Sequence, residues 1–86
     1  MELDMIVGIH SIAEALKNPH RAILQLVATQ EGLEELKKRG NLKKEELPQS
    51  KIKILQGHDL QEEAKKIYKD LDLEFNRIPS GVYLLV

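Results

Sequence analysis

Ile23-Leu24-Gln25-Leu26-Val27-Ala28-Thr29-Gln30-Glu31-Gly32-Leu33-Glu34-Glu35-Leu36-Lys37-Lys38-Arg39-Gly40-Asn41 reads as a strand handed directly to a helix, and that junction decides the fold class. Residues 23–28 are mostly apolar and of strand length, which predicts a strand covered on both faces. Thr29 stands where a helix N-cap belongs. Glu31, Glu34 and Glu35 follow near the helix start and Lys37, Lys38 and Arg39 near its end, the order that complements a helix dipole. Gly40-Asn41 is a C-terminal stop.

The same alternation extends in both directions. Upstream, Met5-Ile6-Val7 is a short apolar run entering Gly8. Ile9, Ile12, Ala13 and Leu16 then repeat at the spacing of one helix face. His10 or Ser11 is expected at that helix's start, and Asn18-Pro19 ends it, because the residue before proline is driven out of the helical region. Downstream, residues 41–50 are polar, hold Pro48 and read as a loop with one helical turn at residues 43–47. Lys51-Ile52-Lys53-Ile54-Leu55 alternates, which predicts a strand with its lysines toward solvent. Asp59 with Glu62 suggests an N-cap and its reciprocal partner for a third helix, whose inner face would be Leu60, Ala64, Ile67, Tyr68 and Leu71. Gly81-Val82-Tyr83-Leu84-Leu85-Val86 carries the strongest strand signal. The expected fold class is α/β: a small three-layer sandwich with a mixed sheet between helices, the sheet containing residues 23–28, 51–55 and 82–86.

At 86 residues, 42 % hydrophobic and 31 % charged, the chain reads as one small domain spanning residues 1–86. It contains no Cys, which excludes disulfide scaffolds, thiol catalysis and Cys-based zinc sites and suits a reducing, cytoplasmic location. Glu2 and Asp4 replace the basic start of a signal peptide. No apolar run approaches the ~18 residues of a membrane span. Phe75, Tyr68 and Tyr83 are its aromatic residues, too few for a binder that stacks successive bases. The chain ends in a buried-type strand, as a domain cut from a longer protein would.

No catalytic constellation stands out. His10, His20 and His58 lie in different segments without ligand spacing, so no metal is expected. Ser11, Ser50 and Ser80 lack a nucleophile elbow, and glycine-rich phosphate loops are missing. Charge is the one local feature. The net charge is −1, yet residues 37–53 hold seven Lys and Arg against Glu45 and Glu46, a balance of +5. A solvated helix end and loop accounts for such a run, and so does a phosphate-contacting surface.

Gly8-Ile9-His10-Ser11-Ile12-Ala13-Glu14-Ala15-Leu16-Lys17-Asn18 resembles the opening G-x-H-A-V-x-E-A-L-like segment of the N-terminal substrate-binding domain of SpoU-type (TrmH family) RNA 2′-O-ribose methyltransferases. Residues 19–21 resemble that domain's basic turn, residues 23–32 its strand and T-E-G-like turn, and Gly81-Val82-Tyr83-Leu84-Leu85-Val86 its closing H-Q-G-V-x-L-x-V strand. The chain departs from the pattern at Pro79-Ser80, where the family has His-Gln, and at Ser11, where it usually has Ala. The resemblance implies the fold of ribosomal proteins that bind kinked RNA, the kink-turn binders. It implies structured RNA (rRNA or tRNA) as partner, together with the chain's own C-terminal catalytic domain. S-adenosylmethionine would belong to that separate domain, leaving this chain without a cofactor and inactive alone.

The expected RNA-contacting residues are Gly8 and His10 in the opening motif, Asn18 and Arg21 in the turn after the first helix, and Arg77 and Ser80 at the entry to the closing strand. The charge count adds Lys37, Lys38 and Arg39. Gly81 is expected to serve backbone geometry. The alternative is a protein-interaction module on the same fold, docking to its catalytic domain or a ribosomal protein.

Overall fold

The computed structural model describes residues 4–18 and 20–86. The elements run β1 (Met5–Val7), α1 (Ile9–Lys17), β2 (Gln25–Ala28), α2 (Gln30–Arg39), β3 (Ile52–Ile54), α3 (Gly57–Asp70) and β4 (Val82–Leu85), with short 3-10 turns at Lys44–Glu46, Gln49–Lys51 and Pro79–Gly81. The protein is α/β, with a four-stranded mixed sheet in the order β1-β4-β2-β3. β4 is antiparallel to both β1 and β2, and β2 is parallel to β3.

Register sorts the side chains into rows. Ile6, Leu84, Leu26 and Ile52 are successive partners across the sheet, and all belong to the core shared with α1 and α2. One residue along, the row is Val7, Tyr83, Val27 and Lys53. Its three apolar members belong to the core shared with α3. Helices therefore cover both faces, and the two central strands need apolar residues at every position, as β4 has: Val82, Tyr83, Leu84 and Leu85 are all buried.

Several expectations shift in detail. β2 begins at Gln25 rather than Ile23, although the Leu24 N–H still donates to the Leu85 carbonyl at 2.8 Å. β4 ends at Leu85, while Val86 and Asp4 exchange two backbone hydrogen bonds. α1 is capped by Gly8 with no side-chain hydrogen bond, so His10 and Ser11 lie inside the helix. It ends at Lys17 as expected, with Asn18 extended; Pro19 lies outside the described residues. α3 starts at Gly57 behind Gln56, which places Asp59 in its first turn rather than at the cap. β3 is only Ile52–Ile54. Its alternation is real, but the face opposite Ile52 is covered by α3, so Lys53 is half-buried and pairs with Glu63 at 2.7 Å. Ile54 lies beyond the helices' cover and is 44 % exposed.

The helix ends obey local rules. Thr29 caps α2, its Oγ1 accepting the Gly32 N–H at 2.9 Å. At the other end Asn41 takes the left-handed conformation at φ 51°. The Leu42 N–H donates to the Lys37 carbonyl and the Asn41 N–H to that of Lys38, the paired bonds of a Schellman motif. α3 ends the same way, with Asp72 at φ 58° and bonds from Leu73 to Tyr68 and from Asp72 to Lys69. Just beyond, Phe75 meets Tyr68 edge to face at 5.3 Å.

Leu26 and Leu84 are opposed in register and fully buried. Truncating either to Ala is expected to cost about 2–5 kcal/mol, measured by denaturant unfolding. A loss of only a few tenths for both would show that these strands are not the centre of the core.

Tyr83 makes a second prediction. Its ring is fully buried and its hydroxyl has no hydrogen-bond partner among the described residues. Burial, then the Glu63 charge, pushes its pKa up from 10.0 to about 12. The unfolded chain ionises first, so the folding free energy that favours the neutral phenol is fully present below about pH 10 and is lost as pH rises toward 12. Tyr83→Phe removes both the orphaned hydroxyl and the titration. It is expected to leave neutral-pH stability unchanged or raised and to flatten the alkaline decline of the melting temperature relative to the parent chain.

Candidate nucleic-acid interface

Gly8 turns the chain from β1 into α1 at φ 92° and ψ 132°, a conformation open to glycine and costly to other residues. Nothing lies within 4 Å of where its Cβ would stand, so the demand is conformational rather than steric. The turn leaves His10 exposed in the first turn of α1, on a depression shared with Glu14, Lys17, Arg39 and Asn41.

Asn18 and Arg21 line a separate depression with Ser11 and Glu14. The Asn18 side chain is already engaged, its Oδ1 accepting the His20 N–H at 3.0 Å. Its carbonyl accepts the Arg21 N–H at 3.3 Å. Asn18 thus shapes its own turn, while Arg21 is exposed and enters no ion pair among the described residues.

The structure brings Arg39, Arg77 and Ser80 to one cleft of about 490 Å³, between the side of α2 that carries Glu31, Gly32, Glu35 and Arg39, the start of α3 and the turn before β4. Two backbone features build it. Ser80 and Gly81 are both left-handed, at φ 61° and 65°. Gly32 carries no Cβ, which would lie 2.4 Å from the Gly81 carbonyl oxygen. Gln61 holds the approach to this turn: its Oε1 accepts the Ile78 N–H at 2.9 Å and its Nε2 donates to the Ile78 carbonyl at 3.1 Å. The cleft has no excess charge, since Glu31 and Glu35 line it as well. Arg39 Nε pairs with Glu35 at 2.8 Å, but the two side chains are 63 % and 46 % exposed, so the pair contributes little to stability.

Lys37 and Lys38 stand in the last turn of α2, both exposed. Lys37 lines a fourth depression with Leu42, Lys44, Leu47 and Gln49, a lining with two cations and no carboxylate. Sequence reading counted Lys44 in the basic run but did not single it out. It missed Gln61 entirely, because a glutamine inside a helix carries no motif.

Among the described residues no three His, Asp or Glu side chains are grouped to hold a metal ion, and no helix is long and apolar enough to cross a membrane. No protein-family model, curated protein or solved structure matches the chain.

Gln61→Ala removes both bonds to Ile78 and leaves a part-buried peptide unpaired. The expected cost is about 1–3 kcal/mol by chemical unfolding, with amide exchange rising first at residues 77–81. Unchanged stability and exchange would show that the clamp does not hold the turn.

Proposed function

We propose that this chain binds structured RNA, as the substrate-recognition domain of a SpoU-type RNA 2′-O-ribose methyltransferase acting on rRNA or tRNA. The observation that carries the RNA-binding reading is electrostatic. Lys37, Lys38, Lys43 and Lys44 enter no ion pair among the described residues. Of the two acids within that basic run, Glu46 is engaged by the Lys43 backbone N–H at 2.8 Å. Uncompensated cations close together favour a polyanion, because each neutralised phosphate releases a counterion. The helix dipole accounts for basic residues in the last turn of α2, but not for Lys43 and Lys44 beyond it.

Support for the family half of the reading is the resemblance of residues 8–18 and 81–86, together with the positive φ that Gly8 adopts at the head of the motif. On this reading the chain recognises RNA by shape and phosphate contacts, as an A-form helix requires. S-adenosylmethionine and the methyl transfer belong to the separate domain. One observation favours the interaction-module alternative: Leu24 and Ile54 are exposed apolar side chains of the kind that dock on a partner protein.

Salt separates the two. Binding of a structured RNA hairpin, followed by fluorescence anisotropy, is expected to weaken with a slope of log affinity against log salt of about −2 to −4, for three or four neutralised phosphates. Lys37→Glu with Lys44→Glu is expected to abolish it without lowering the melting temperature, and Arg21→Glu to weaken it less. Binding insensitive to salt, or no binding, would favour the docking module.

A further inference from the structure

We propose that the pocket lined by Lys37, Leu42, Lys44, Leu47 and Gln49 receives one unpaired nucleotide of RNA, its base against the two leucines and its phosphate between the two lysines. The inference rests on the RNA-binding reading above and names the part of the RNA that is recognised.

The pocket is a product of the Schellman turn. Asn41 at φ 51° reverses the chain, and the Leu42 N–H reaches back to the Lys37 carbonyl at 3.2 Å. The next turn closes at once, with the Lys43 N–H on Glu46 Oε1 at 2.8 Å and the Leu47 N–H on the Lys44 carbonyl at 3.3 Å. Leu47 is part of the core shared with α1 and α2, and Leu42 packs against that core, so the apolar floor is anchored. Gln49 Nε2 donates to the Lys44 carbonyl at 3.4 Å, which leaves its Oε1 free to accept from a base. The volume is about 330 Å³, at the small end of the range for ligand sites.

An apolar floor beside two unpaired cations fits a ligand with one flat apolar part and one anionic part. A nucleotide has both. Bases within an A-form duplex are stacked and shielded, so the base that enters must be unpaired. Lys38 and Lys43, adjacent in sequence to the lining lysines, continue the positive charge outside the pocket. A phosphate chain uses that continuation, whereas a lone side-chain carboxylate does not. The Arg39–Arg77 cleft is larger, but Glu31 and Glu35 cancel its charge.

The test compares two RNA hairpins of the same stem, one fully paired and one with a single-nucleotide bulge. The chain is expected to bind the bulged hairpin about tenfold more tightly, from burying one face of a base against apolar side chains. Leu42→Asn is expected to remove that preference and keep the salt slope. The methyl resonances of Leu42 and Leu47 are expected to shift with the bulged hairpin and not with the paired one, a readout that needs no variant. Equal, salt-dependent binding of both hairpins with unmoved methyls overturns the pocket and leaves the RNA-binding reading standing. Binding of neither hairpin overturns both. Capture of a Glu- and Leu-rich peptide at Lys37 and Lys44, with both hairpins ignored, assigns the pocket to protein docking and overturns the proposal.

Discussion

The first turn of α2 lies against the turn that feeds β4 so closely that only a residue without a Cβ fits. A methyl group on Gly32 would stand 2.4 Å from the Gly81 carbonyl oxygen and 2.7 Å from that of Ser80. The Gly81 carbonyl also accepts the Thr29 N–H at 2.9 Å, and a Cβ on Gly81 would meet Thr29 Oγ1 at 2.8 Å. Four residues from two distant segments thereby fix where β2 ends, where α2 begins and where β4 starts. The register of Leu26 against Leu84 follows, because Ala28 and Val82 are already aligned at that end of the ladder. A slip by one residue would turn every apolar side chain of β2 to the wrong face.

That junction also explains why the Arg39–Arg77 cleft is where it is. Holding α2 against the Pro79–Gly81 turn leaves a recess bounded by the start of α3, and Gln61 keeps its far wall in place through Ile78. Arg39 and Arg77 meet there, and so do Glu31 and Glu35. At its C-terminal end the helix stops, the chain reverses, and Lys37, Lys38, Lys43 and Lys44 enter no ion pair among the described residues. The electrostatic asymmetry of this protein thus lies between two sides of one ten-residue helix: Glu31, Glu35 and Arg39 line the cleft on one, and Lys37, in the same last turn as Arg39, lines the depression with Lys44 on the other. The dipole favours cations in that last turn, and the Schellman turn concentrates them by folding Leu42 and Lys44 back beside Lys37.

The candidate residues differ in how far the chain itself reveals them. Gly8 was singled out for the opening motif it heads, and the structure gives it a backbone role, at φ 92° between β1 and α1. Asn18 was legible as a turn residue, yet its side chain is engaged by the His20 N–H. Arg39 looked equivalent to Lys37 and Lys38, but one turn earlier Glu35 pairs with it. Arg77 and Ser80 were singled out at the entry to β4. Their meeting with Arg39 depends on the Gly32 contact, for which no periodic pattern exists.

Local sequence alone determined the elements of this protein. The cap hydroxyl and the Gly40-Asn41 stop act through hydrogen bonds of short sequence range, the acid-to-base order along α2 acts within one helix, and the apolar runs before Thr29 and in β4 mark strands by hydropathy, although their ladder bonds are long-range. Even the departures at Gly8 and Gln56 move a cap by two or three residues without changing the element. Tertiary structure decided strand order, the face each helix covers and the neutralisation of charge. Ile54 is exposed and Lys53 half-buried although the alternation reads the other way, because α3 extends over one and the helices of the other face stop short of its neighbour. Such outcomes depend on residues dozens of positions apart coming into contact, and the information resides in the fit between surfaces rather than in either segment.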